Sequence, residues 1–177
     1  MLQSVVRGLR CLRDLLLLAA VVLILAPLLV VALPIVAVTE LWRRVVEGRL
    51  TRQFRTTYGR AGKFVVFVYS NSPNWQERIE SEVLPKLEPY AIVLNWSERS
   101  TPRWKSRPLE VRIFQVWGGS TEFNPIAILI PPTGSVETFR FWRAYRDFRH
   151  GKPVVLKEVE EKLFARVGEI AKKIGHV

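Results

Sequence analysis

The fold is decided by one stretch in the second half of the chain, Asn124-Pro125-Ile126-Ala127-Ile128-Leu129-Ile130-Pro131-Pro132-Thr133-Gly134-Ser135-Val136. Its apolar run at 126–130 begins after a proline and predicts a buried strand. The Pro-Pro-Thr-Gly sequence at 131–134 has the composition of a turn. We therefore expect residues 135–141 to return as the second strand of a hairpin.

Outward from this hairpin, the hydrophobic pattern predicts alternating strands and helices. The helix over 74–88 starts with Asn74 and Glu77, which resemble a capping box. Residues 109–117 alternate enough to predict a strand, with a helix as the alternative. The other predicted elements are a strand at 64–69, a strand at 91–94, a loop at 96–108 and an amphipathic helix at 156–174.

This element order, with its proline-led strand and glycine hairpin, resembles the thioredoxin family over residues 63–175. The resemblance implies an α/β domain with a mixed sheet, in which a cis-proline, here Pro125, starts the third core strand. In that family a dithiol lies between the first strand and first helix. The matching residues 70–79 contain no cysteine, so the redox chemistry does not carry over. Trp75 at this corner either packs the helix start or belongs to a remaining binding surface.

The N-terminal part predicts a membrane anchor, because residues 15–38 are all Ala, Val, Leu, Ile or Pro. A helix of this length is long enough for a hydrocarbon core of about 30 Å. A cleaved signal peptide is the alternative, but its apolar region is normally only about 7–15 residues long. We therefore expect an extracytoplasmic N-terminus at 1–14, a single transmembrane helix at 15–38, a basic juxtamembrane linker at 39–62 and a thioredoxin-like domain at 63–177.

The charge distribution sets the expected orientation and a first partner. The chain carries 27 basic and 16 acidic residues, a net charge of +11, and seven basic residues follow the apolar run against three before it. The more basic flank usually stays in the cytoplasm, which places the C-terminal domain there. Basic residues at this position contact anionic membrane lipid, whereas nucleic acid is a less favoured partner. The expected lipid-proximal residues are Trp42, Arg43, Arg44, Arg49 and Arg52.

A second surface is predicted at 139–149, where aromatic residues and arginines each recur every three residues. Arginine and aromatic side chains together are enriched in protein interfaces. The alternative is that the aromatic row packs on the sheet while the arginines are solvated. The candidate interaction residues are Arg140, Trp142, Arg143, Tyr145, Arg146 and Arg149.

The residue types available leave little material for catalysis. One cysteine and two histidines exclude a disulfide framework and disfavour metal sites, so no catalytic, metal or cofactor-binding residue is predicted. We expect a membrane-anchored, non-catalytic accessory or scaffolding protein that binds another protein, with an enzyme disfavoured. The alternative is a membrane-tethered electrostatic binder of anionic lipid or nucleic acid through the basic linker and arginine row.

Overall fold

The computed structural model describes the backbone of residues 2–100, 106–119 and 124–175, and the side chains of these residues except 2–22 and 24–29. The chain divides into two compact units, residues 1–46 and 47–177. One helix, α1 (Leu2–Tyr58), begins in the first unit and ends in the second. The other helices and the sheet lie in the second unit.

The transmembrane anchor predicted at 15–38 is contradicted. Among the residues described, no helix is both long and apolar enough to cross a membrane. A helix needs about 20 consecutive apolar residues to span the hydrocarbon core of a membrane. Residues 15–22 and 24–29, which carry much of the predicted span, lie outside the described side chains, as do the side chains of 1–14.

Residues 39–58, predicted as part of a linker, are helical and continue α1. Leu50 and Phe54 lie four residues apart, on one face of the helix, and are only 2% and 0% exposed. The helix ends in a 3₁₀ turn at Gly59–Ala61, and Gly62 follows with a φ of 71°, a left-handed conformation that favours glycine. The end of α1 is therefore part of the second unit's core.

A four-stranded mixed sheet forms the centre of the second unit. Its strands are β1 (Val65–Tyr69), β2 (Ala91–Asn95), β3 (Ile126–Leu129) and β4 (Glu137–Arg140), in the order β2-β1-β3-β4. β1 pairs parallel with β2, and β3 pairs antiparallel with both β1 and β4. The Asn124–Pro125 peptide bond before β3 is cis. The prediction of an α/β fold is confirmed at the level of a mixed α/β unit with a mixed sheet.

Four further helical elements lie in the described part of this unit. The first, α2, consists of Gln76–Arg78, a π-helical turn at Ile79–Val83 and Leu84–Leu87. The others are α3 (Leu109–Gly118), α4 (Trp142–Arg149) and α5 (Val154–Gly175).

The strand predicted at 109–117 is wrong, and its helical alternative holds. Burial in α3 follows the helical repeat: Glu110 and Val111 are buried, then Ile113 and Phe114, then Gly118. Residues 101–105 of the predicted loop at 96–108 lie outside the description, and Trp96–Glu98 form a 3₁₀ turn.

Both faces of β1 are covered, since all five of its residues are buried. On one face, Phe67 and Tyr69 pack with residues of α2, α4 and α5, including Ile79, Tyr145 and Leu163. On the α3 side, the hydroxyl of Tyr58 at the end of α1 donates to Glu110 at 2.9 Å. The sheet therefore fixes α2 and α4 on a common face, where the candidate site lies.

Candidate functional site

A cavity of about 250 Å³ lies where the start of α2 meets α4. We call it the aromatic cavity. Its described lining residues are Asn74, Trp75, Trp142, Arg146, Arg149 and His150. It brings together three of the six predicted interaction residues with a tryptophan that is distant in sequence.

The helical repeat of α4 selects which predicted residues reach the cavity. Trp142, Arg146 and Arg149 are spaced by four and three residues, so they lie on one face of the helix. Tyr145 lies on the buried side, 1% exposed. Arg143 is exposed but does not line the cavity. The predicted row therefore does not form one surface. Some of its residues line the cavity wall, Tyr145 lies in the core, and Arg143 lies on another part of the surface.

Arg140, at the end of β4, has a structural role. Its guanidinium donates to the carbonyl oxygens of Gly118 and Trp117, both at 2.8 Å. These carbonyls belong to the last turn of α3, where a helix leaves acceptors without intrahelical partners. Arg140 therefore ties β4 to the end of α3 and does not join the aromatic cavity.

Trp75 is held in place at the start of α2. Its indole Nε1 donates to the carbonyl oxygen of Ser70 at 3.1 Å, and its ring centroid lies 6.0 Å from that of Tyr145. Burial raises the pKa of the Tyr145 phenol above its usual range, with a further contribution from the charge of Glu160. The Tyr145 hydroxyl is buried and has no hydrogen-bond partner among the residues that the structure describes. One wall of the cavity is thus a fixed indole backed by a neutral phenol.

The opposite wall carries the charge. The Arg146 guanidinium lies 5.4 Å from the ring centroid of Trp142 and forms an ion pair with Asp147 at 3.1 Å. Arg149 is exposed and has no hydrogen bond or ion pair within the described part of the chain. Trp142 is 38% exposed, which is a large fraction for an indole. The wall therefore presents two guanidinium groups and an accessible aromatic ring.

Sequence reasoning missed two lining residues, Asn74 and His150. His150 follows Arg146 by four residues, the spacing of one helix face, but the glycine after it suggested a solvated turn. Asn74 was assigned to a helix cap, whereas the side-chain hydroxyl of Ser72 accepts the Asn74 backbone N–H at 3.4 Å. The helical spacing was a usable signal for His150, whereas nothing local indicated Asn74.

The corner that the resemblance associates with a dithiol holds amides and hydroxyls. Ser70 Oγ donates to Asn124 Oδ1 at 2.7 Å, and Asn95 Nδ2 donates to Asn71 Oδ1 at 2.6 Å. These groups satisfy one another, which leaves neither a thiolate nor an activating base among them. Within the described residues, no group of three or more histidines, cysteines and acids is placed to hold a metal.

The predicted lipid-proximal residues lie on α1, and the arginines among them differ in whether they pair with an acidic side chain. In the first unit, Trp42 is 67% exposed. Arg43 and Arg44 both donate to Glu40, at 2.8 and 3.2 Å, and these hydrogen bonds lower the pKa of Glu40 to about 2. In the second unit, Arg49 and Arg52 are exposed.

Comparison with family models, with curated proteins and with solved structures finds no match to this chain. The membership of the thioredoxin family suggested by residues 124–136 is therefore not supported. The resemblance came from element order and one hairpin, features that unrelated α/β chains share without a common signature motif. The cytoplasmic location expected for the α/β unit, which depended on the anchor, stays a prediction.

Proposed function

We propose that the α/β unit is a non-catalytic binding module that takes an acidic segment of a partner protein in the aromatic cavity. The observation that carries this proposal is the wall formed by Trp142, Arg146 and Arg149. The mixed α/β fold of the unit is compatible with a thioredoxin-like arrangement. The proposal, however, depends on the cavity and not on that likeness.

The chemistry of the wall indicates the kind of segment. A guanidinium forms paired hydrogen bonds with a carboxylate, and Arg149 has no partner within the described residues that would compete. The half-accessible ring of Trp142 offers a flat apolar contact beside that charge. A segment with an aspartate or glutamate next to an apolar side chain satisfies both.

Rigidity supports the same function. Trp75 is fixed by its hydrogen bond to Ser70, and Tyr145 behind it is fully packed. A preformed wall loses little conformational entropy when a partner docks. The cavity therefore has the properties of an anchor point at the centre of a larger contact.

The experiment compares two arginines of α4 that differ mainly in position. Arg149→Glu reverses a charge in the cavity wall, whereas Arg143→Glu reverses an exposed charge on the same helix outside it. We expect Arg149→Glu and Trp142→Ala to lower co-purification of partner proteins with the full-length chain by at least tenfold, measured by quantitative mass spectrometry. Arg143→Glu should retain them. Equal retention by all three variants would refute the proposal.

The net charge of +11 favours a second candidate, electrostatic binding of anionic lipid or nucleic acid. Counterion release makes such binding fall steeply with salt and depend on total charge more than on one position. Under this alternative Arg143→Glu and Arg149→Glu weaken binding to phosphatidylserine vesicles or to RNA equally. Under the proposed function only Arg149→Glu affects the partner.

A further inference from the structure

Two adjoining cavities lie at another place in the second unit, where the end of α1, the β3–β4 turn and the end of α5 meet. Their volumes are about 470 and 280 Å³, and they share Gly59, Pro132 and Ile174. We call them together the proline groove. The larger volume alone falls in the range of about 300–1,000 Å³ that small-molecule sites occupy.

The backbone around the groove is held by Arg55. Its Nε donates to the carbonyl oxygen of Pro131 and its Nη2 to that of Gly134, both at 2.7 Å. Gly134 has a φ of 91°, a conformation that lets the turn close at this point. The groove is thus preformed by a clamp between α1 and the hairpin turn.

The floor of the groove is apolar. Phe64, Ile130 and Ile170 line it and are no more than 3% exposed. Pro131, Pro132 and Ile174 add further aliphatic surface. This composition matches a hydrocarbon chain better than a sugar or a nucleobase, which would need hydrogen-bonding side chains in the floor.

The rim of the groove is cationic. None of its described lining residues is acidic, and five are basic. Three of these are already engaged: Arg55 with the two carbonyls, Lys63 with the carbonyl of Glu88, and Arg166 with Glu137 and Glu169. Arg60 and Lys173 are exposed and have no hydrogen bond or ion pair within the described residues.

We propose that the proline groove binds a single-chain anionic amphiphile, with the acyl chain on the apolar floor and a carboxylate or phosphate headgroup at Arg60 and Lys173. The floor removes methylene groups of the acyl chain from water, which favours binding in proportion to the apolar area buried. The free cations select the sign of the headgroup charge. This site is separate from the aromatic cavity and independent of the function proposed for it.

The test uses the full-length chain and radiolabelled laurate below its micelle concentration, measured by equilibrium dialysis. The double variant Arg60→Glu/Lys173→Glu should weaken laurate binding at least tenfold. The matched control Lys152→Glu/Lys162→Glu makes the same charge change on exposed residues outside the groove, one just before α5 and one on it, and should stay within twofold of the unmodified chain. Lauryl alcohol, which lacks the charge, should bind at least tenfold more weakly than laurate.

A second pair of variants tests the floor without changing charge. Gly59 borders both cavities, and a Cβ placed there meets no heavy atom within 4 Å. Gly59→Trp should therefore fill the groove and abolish laurate binding, whereas Gly48→Trp on α1, where space is also open, should not. This pair decides the matter if the charge variant does not fold.

Several outcomes would overturn the proposal. These are unchanged binding in both groove variants, an equal loss in the control variants, or equal binding of lauryl alcohol. Repeating the measurement with lauryl phosphate distinguishes the two headgroups. Tighter binding of laurate or of lauryl phosphate supports the proposed ligand class and shows whether the site prefers a carboxylate or a phosphate. If neither compound binds, the proposal is refuted.

Discussion

The aromatic cavity and the proline groove lie in the same unit and differ in how most of their arginines are used. In the groove, Arg55 and Arg166 are committed to carbonyl and carboxylate oxygens of the protein itself. In the cavity, Arg149 has no such partner within the described residues, and Arg146 contacts its neighbour Asp147 and the ring of Trp142. Arg55 and Arg166 build the groove, whereas Arg149 in the cavity, like Arg60 at the rim of the groove, is available to a ligand.

The role of an arginine in this unit therefore depends on which hydrogen-bond acceptors the fold places within its reach. Arg140 and Arg149 belong to one sequence row, yet only Arg140 meets the exposed carbonyls at the end of a helix. A charge-assisted hydrogen bond contributes about 1.5–3 kcal/mol, so a satisfied arginine is a structural element. Substitutions should separate the two classes, first by stability and then by titration.

The largest loss of stability is expected for a core residue at the end of α1, on the groove side of the unit. Phe54→Ala removes a side chain that is 0% exposed and should destabilise the full-length chain by about 3–5 kcal/mol, from lost burial and the resulting cavity. Phe148→Ala, at a ring of α4 that is 38% exposed, should cost about 1 kcal/mol or less. Urea unfolding followed by circular dichroism measures both. Similar losses would mean that the end of α1 is not part of the core.

An intermediate effect is expected at the clamp. Arg55→Ala removes both hydrogen bonds to the hairpin turn and should cost about 2 kcal/mol of unfolding free energy. Arg149→Ala, which loses no partner described in the structure, should lie within about 0.5 kcal/mol of the unmodified chain. Thermal unfolding of the two variants side by side gives the comparison. A destabilised Arg149 variant would contradict the assignment of free and committed arginines.

The smallest effect concerns the face of the sheet below the aromatic cavity. Burial, with a hydrogen bond to Glu80, raises the pKa of Tyr69 to about 12. A raised folded pKa means that the neutral phenol's contribution to stability is complete below the unfolded value of about 10 and is lost as pH rises through about 12. Tyr69→Phe should remove this alkaline loss.

Phenolate absorbance during a pH titration provides the measurement. The late-ionising component should be smaller in the Tyr69→Phe variant than in the unmodified chain by one tyrosine, since buried Tyr145, whose pKa is also raised, remains. Full ionisation of all tyrosines near pH 10 before unfolding would show that Tyr69 is not packed as described.

The sequence allowed some of this to be predicted, because local patterns identify strands and hairpins well. The strand at 126–130 and the turn after it are found where expected, with β3 at Ile126–Leu129. Alternation at 109, 111 and 113 misled the assignment of α3, since the same residues also fit a helix with paired buried positions. Leu50 and Phe54 carried a signal, their spacing of four, but the surrounding arginines favoured a linker.

The candidate sites divide in the same way. Trp142, Arg146 and Arg149 are predicted as contact residues from their three-residue spacing and composition, whereas the inward direction of Tyr145 depends on the phase of α4 against the sheet. The proline groove could not be predicted, because its walls come from three segments that are far apart in sequence. The clamp by Arg55 holds two of those segments, α1 and the turn, together, and α5 joins them through core packing.

Strand β4 also bears on self-association. It is an edge strand, and an edge strand offers backbone groups to which another chain can add. Its terminal residues are charged and held in place, Glu137 by Arg166 at 2.7 Å and Arg140 by the end of α3. Charged residues on an edge disfavour strand addition, so this side of the sheet resists polymerisation into a continuous sheet.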